Sequence, residues 1–131
     1  MIGIDTNVVV RYVTLDDPAQ TATAFKLIDS FSSDSPGFIS LIVIMELVWV
    51  LEASYHFKKP QVENVISLLL QSNELVIEQA ALVSQALRSF HTSRADFADC
   101  LIERCGHAAE CDYTVTFDKN AAAGAGMRLV G

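Results

Sequence analysis

The sequence predicts an α/β fold built on a parallel sheet. Two patterns carry that expectation. Short apolar or β-branched runs recur along the chain, and the segments between them repeat their apolar residues at helical spacing. No linker, internal repeat or low-complexity tract interrupts the alternation, so residues 1–131 are expected to form one domain.

Taken in order, Ile2 to Ile4 reads as a strand, and Asp5-Thr6-Asn7 as the cap of a helix from about Val8 to Val13. Asp16-Asp17-Pro18 starts a second helix, because proline suits the first helical position. Ala24, Leu27, Ile28 and Phe31 supply its apolar stripe. After the polar loop Ser32 to Gly37 comes the short strand Phe38-Ile39, and Ser40 caps a helix reaching about Tyr55. Lys58-Lys59-Pro60 opens a fourth helix, with Val62, Val65, Ile66 and Leu69 on one face. Leu75-Val76-Ile77 is a strand; Val83, Ala86, Leu87 and Phe90 mark the next helix, and Ala98, Leu101, Ile102 and Cys105 the one after. Tyr113 to Thr116 is a strand, Asp118 to Ala123 a last short helix, and Arg128 to Val130 a final strand.

Hydrophobic residues make up 51% of the chain, enough for a sizeable core. Nine basic residues against 16 acidic ones give a net charge of −7, which argues against a general electrostatic binder of nucleic acid. The five acids singled out below account for most of that excess. Cys100, Cys105 and Cys111 lack C-x-x-C spacing and are expected to be reduced, as in a cytoplasmic protein. No signal peptide is expected, since Met1 leads straight into a strand. The longest apolar stretch, Leu41 to Leu51, falls short of the ~20 residues of a membrane span.

The acids stand out because each is embedded in an apolar segment. These are Asp5 in IGIDTNVVV, Glu46 in LIVIMELVWVL, Asp96 and Asp99 in ADFADCLI, and Asp118 in TVTFDK. An ionised carboxylate is not stable in apolar surroundings without compensation. Asp5 and Asp118 follow strand ends, where sites of open α/β sheets form; their structural alternative is helix capping. Glu46 either faces a desolvation cost of several kcal/mol or lies on one exposed stripe of its helix. Asp96 and Asp99 share a helical face near its start, where negative charge is also favourable for the helix itself. Glu103 and Arg104, one turn on, read as surface residues. Thr6, Asn7 and Thr116 add polar atoms beside the acids.

Together the five carboxylates describe one pocket of hard oxygen donors, suited to Mg²⁺ or Mn²⁺. His56, His91 and His107 show no zinc-binding spacing, and no glycine-rich nucleotide motif occurs.

In these motifs the chain resembles PIN-domain ribonucleases, and more closely the VapC toxins of toxin–antitoxin pairs. The opening IGIDTNVVVRY, the acid within LIVIMELVWVL, DFADCLIERC and the ending YTVTFDKNAA carry the likeness, in order, along nearly the whole chain. The resemblance implies a three-layer α/β/α sandwich with a central parallel sheet. It implies that Asp5, Glu46, Asp99 and Asp118 form the catalytic metal site, with Asp96 as a secondary ligand and Thr6, Asn7 and Thr116 in support. It also implies hydrolysis of RNA, a VapB-type antitoxin and a homodimer. Arg11, Arg94, Arg104 and Lys119 lie near the motifs and are candidate phosphate contacts. Glu103-Arg104 departs from the small residues common at that place.

Two other readings remain at this point. One is a PIN-fold module that binds RNA or protein without cleaving it. The other is a phosphotransfer receiver or phosphatase-like domain, which also uses an acidic Mg²⁺ pocket but in a different motif order.

Overall fold

A computed structural model describes residues 1–131, and the chain gathers into two compact units, Met1–Ala80 and Ala81–Gly131. The first contains β1 (Ile2–Gly3), α1 (Thr6–Thr14), α2 (Pro18–Asp29), β2 (Gly37–Ile39), α3 (Leu41–Tyr55), α4 (Lys59–Gln71) and β3 (Leu75–Ile77). Next comes α5 (Ala80–Thr92), whose first residue closes the first unit. The second unit continues with α6 (Phe97–Ala108), β4 (Val115–Thr116), α7 (Lys119–Ala125) and β5 (Arg128–Leu129).

All strand pairs are parallel, as the alternation predicts. In the first unit the order is β1-β2-β3, with Ile2 opposite Gly37 and Phe38 opposite Val76. In the second, β4 pairs with β5 through Val115 opposite Arg128. The strands are shorter than the sequence runs: Ile4 lies beyond β1, and Tyr113-Thr114 lies ahead of β4. Conversely, α1 is longer than expected. Asp5 takes its N-cap position and Leu15, in the left-handed region at φ 58°, ends it.

The helices bury much of the stripes their spacing defines, except that α6 leaves Ile102 52% exposed and buries Phe97 and Cys100 beside Leu101 instead. Leu47, Leu51, Val62 and Ile66 are wholly buried in the first unit, and Val83 and Ala86 in the second. At roughly 1.5–3 kcal/mol per fully buried large aliphatic side chain, these stripes hold the helices to the sheets. Phe90 of α5 meets Phe97 of α6 edge to face, with ring centroids 5.8 Å apart. Gly37 opens β2 because nothing larger fits there. A Cβ at that position would lie 2.6 Å from both Ile4 Cδ1 and Phe31 Cε2.

The caps follow the sequence signals in three cases. Asp17 accepts from the Gln20 amide, Ser40 from the Val43 amide, and Asp118 from the Asn120 and Ala121 amides. Glu78 adds a cap that the sequence pattern does not announce. Just past β3, its Oε1 accepts from the Leu41 amide at 2.7 Å, fixing the start of α3 to the end of a neighbouring strand. No helix is long and apolar enough to cross a membrane.

Candidate active site

In the first unit, Asp5 occupies the N-cap of α1 with extended backbone, yet its carboxylate makes no capping bond. Its backbone carbonyl alone starts the helix, accepting from the Val8 and Val9 amides at 3.1 and 3.4 Å. The exposed carboxylate therefore has no capping duty, which removes the structural explanation for an aspartate here.

Thr6 is one of only two buried polar or charged residues, at 4% exposure. Its hydroxyl donates to Glu46 Oε1, joining the start of α1 to the middle of α3. Glu46 itself is exposed, on the same helical stripe as the exposed Ile42 and Trp49. Of the two sequence alternatives, the exposed stripe is the one found. The desolvation argument for Glu46 does not apply, and the acid is distinguished instead by its tether to a buried hydroxyl.

Asn7 is exposed and borders a cavity of about 390 Å³ between α1 and α2, shared with Arg11, Gln20 and Thr23. Arg11 is committed within the protein. Its Nε donates to Gln20 Oε1 at 2.5 Å, and its Nη1 to Asp16 Oδ1 at 3.1 Å and to the Tyr55 hydroxyl at 3.0 Å. Tyr55 in turn donates to Asp16 Oδ2 at 2.6 Å. That bond, with help from Thr14 and the charge of Arg11, lowers the Asp16 pKa from its ordinary 3.8.

In the second unit, Asp96 holds the N-cap of α6, again with no side-chain cap, and Asp99 follows in the first turn. Burial raises the Asp99 pKa above the ordinary 3.8. The charges of Asp96 and Asp118 raise it further, and a hydrogen bond with the Asp96 backbone opposes them. The charges of Asp96 and Asp118 thus both bear on Asp99.

Asp118 does cap its helix: Oδ1 accepts from the Asn120 amide at 2.7 Å and the Ala121 amide at 3.0 Å. Thr116 Oγ1 accepts from the Asp118 amide at 3.0 Å, so the threonine shapes the turn that presents the acid. Arg94 and Lys119 are exposed on either side of these acids in sequence.

One expectation is corrected here. Glu103 is not a surface residue: it is the second buried polar or charged side chain, at 8% exposure. Both its oxygens accept from Arg104 Nη2, and Oε1 also accepts from Arg104 Nε. The pair satisfies itself, which is what permits a carboxylate on the inner side of α6.

The donor set suits a hard divalent cation, since every candidate ligand is a carboxylate oxygen. The mutual repulsion around Asp99 is what such an ion would relieve. As the side chains stand, no three Asp, Glu, His or Cys residues form a group placed to hold a metal ion.

Comparison with known proteins completes the picture. The sequence profile of the PIN domain matches residues 2–126. A comparison with curated proteins finds no match.

Proposed function

Because the chain belongs to the PIN-domain family, whose fold is generally that of a nuclease, we propose that it is a Mg²⁺- or Mn²⁺-dependent endoribonuclease. We take it to act as the VapC-type toxin of a toxin–antitoxin pair, in the cytoplasm. The observation that carries the reading is the second unit's acid trio, in which Asp96 and Asp118 raise the proton affinity of a partly buried Asp99. Carboxylates held at each other's expense are a cost to folding, and binding a cation at those oxygens offsets it.

In this reading both units form one PIN domain. Asp5, Glu46, Asp99 and Asp118 hold the ion, and Asp96 supports them. A divalent cation there supplies Lewis-acid polarisation of the phosphodiester and a lowered pKa for the attacking water. The chain's own residues set the geometry. Thr6 fixes the Glu46 carboxylate from the buried side of α1. Thr116 and the α7 amides fix the Asp118 turn. Asn7, two residues after Asp5 and exposed, offers a side-chain amide for a phosphate oxygen. Of the candidate phosphate contacts, Arg94 and Lys119 are the exposed cations; Arg11 and Arg104 are turned to partners within the protein.

The partners follow from the same reading: an RNA substrate, a VapB-type antitoxin that covers the acids, and a second copy of the chain. The exposed stripe of Ile42 and Trp49 on α3 is the surface assigned to protein contacts.

The deciding experiment incubates the purified protein with single-stranded RNA in Mg²⁺ and maps the new ends. Cleavage that stops with EDTA and with Asp99→Asn supports the reading. RNA bound but left intact under every metal condition would instead identify a binding module without catalysis.

A further inference from the structure

Phe117 sits between Thr116 and Asp118, and it is the most exposed large hydrophobic residue of the chain, at 83%. A side chain in that state contributes nothing to the core. The backbone around it is nevertheless fixed. Val130 donates its amide to the Thr116 carbonyl at 2.9 Å, Thr116 Oγ1 receives the Asp118 amide, and Asp118 receives two amides of α7. The ring is thus held outward at a set place beside a candidate catalytic acid.

It also belongs to a pattern. Tyr113, Val115 and Phe117 are all exposed, whereas Thr114 and Thr116 between them are half-buried. The alternation turns these three side chains to solvent and the two threonines inward, around the two-residue strand β4, and the five-residue segment spans at most ~13 Å from Tyr113 to Phe117. At the far end, the Arg128 guanidinium lies 4.1 Å from the centroid of the Tyr113 ring. An aromatic stripe with a cation at one end and a carboxylate at the other suits a single strand whose bases are unstacked.

Charge favours such a surface. At a net −7 the chain lacks the excess of basic residues that gives nucleic-acid binders their general electrostatic grip. Base–aromatic stacking works without net charge.

Resting on the ribonuclease reading above, we propose that Phe117 is a stacking platform for a nucleobase of single-stranded RNA next to the scissile phosphate. The strand then runs along the Tyr113–Phe117 face, and its phosphates pass Arg128. Duplex RNA, whose bases are already stacked, does not engage the ring.

The test uses the full chain and a short single-stranded RNA carrying 2-aminopurine, whose fluorescence falls on stacking. Wild type is expected to quench it. Phe117→Ala is expected to abolish the quenching and to raise KM about tenfold or more, with kcat changed less than about twofold. Phe117→Trp restores both, and Phe117→Leu restores neither. Full rescue by leucine, or an unchanged KM in Phe117→Ala, overturns the stacking role. So does a shift of Phe117→Ala from dimer to monomer in size-exclusion chromatography with RNA binding intact, which assigns the ring to a second copy of the chain. If wild type cleaves no RNA, the ribonuclease reading falls. The quenching signal still decides whether Phe117 stacks on a base, because binding needs no cleavage.

Discussion

The two units hold their acids by opposite means. In the first, Glu46 is secured by a hydrogen bond from a buried threonine, and Asp5 stands at a helix start that its backbone alone completes. In the second, Asp118 is fixed by the amides it caps, while Asp99 is pressed by burial and by two neighbouring negative charges. The first unit secures its acids through a hydrogen bond and a helix start; in the second, Asp99 is strained by burial and by its neighbours' charge. The difference teaches that acids marked by the same apolar sequence context can be held in different ways. The strained set is where a cation relieves most, and the tethered set is where side-chain geometry is secured in advance.

The largest expected effect breaks the comparison at the level of activity. Asp5→Asn and Asp99→Asn should each reduce RNA cleavage more than about 100-fold, since loss of a ligand exceeds the 10–100-fold typical of supporting residues. Asp96→Asn should be milder. Melting temperatures should separate the two units: Asp99→Asn should melt at or above wild type, because repulsion is removed, whereas Asp5→Asn should leave the transition unmoved. A clear fall in melting temperature for Asp99→Asn would show that its charge is not strained.

Metal addition tests the same strain. A millimolar titration of Mg²⁺ or Mn²⁺ should raise the melting temperature, by about 2.7 kcal/mol of stabilisation at a hundredfold excess over Kd, and EDTA should reverse it. The shift should shrink in Asp99→Asn. A melting curve indifferent to both ions would count against the metal site.

Removal of the tether is a smaller effect. Thr6→Val keeps the shape but deletes the hydroxyl, and should cost about 1 kcal/mol, with Thr6→Ser restoring it. Glu103→Gln should cost a similar amount or more, about 1.5–3 kcal/mol, because Arg104 then loses its charged acceptor. Cleavage rate per folded molecule should be preserved in Glu103→Gln; a loss of rate at equal stability would place Glu103 in the site. Chemical denaturation of matched variants measures both.

The smallest effect is in pH, and its sign differs between the units. Asp99 has a raised pKa, so its contribution to stability is full below 3.8 and is lost as pH rises through the folded value. Asp16 has a lowered pKa, so its contribution is present above 3.8 and is lost as pH falls through the folded value. Asp99→Asn should therefore flatten stability on the alkaline side of 3.8, and Asp16→Asn on the acid side. Unfolding followed between pH 2 and 7 would show both slopes, and equal slopes in the two variants would refute the assignment.

Much of this was legible in the sequence because its signals are local. Ser40 as a cap, the span Leu41–Tyr55 and the strand Leu75–Ile77 follow from residue type and spacing alone. Strand lengths were not legible: β4 begins at Val115, where its partner β5 begins at Arg128, and a partner's length is not written in the run Tyr113 to Thr116. The acids were found by their apolar context, and for Glu46 that context misled. Helix α3 is rich in apolar residues on all sides, so composition concealed its exposed stripe. Glu103 misled in the other direction. Its carboxylate is paired with Arg104, a side-chain arrangement that periodicity does not encode. Phe117 falls between the strand Tyr113 to Thr116 and the helix from Asp118, and nothing in the sequence marks it until its exposure is known.

Leu15 and His56, which end α1 and α3, carry a further consequence. Both adopt the left-handed conformation that glycine takes at no steric cost, at φ 58° and 56°. Each non-glycine residue there forgoes roughly 1 kcal/mol. The chain thus keeps unused stability at two helix ends. A lineage exploring new charges around its acids has room to drift, since a single change to glycine at either end can compensate a destabilising step elsewhere.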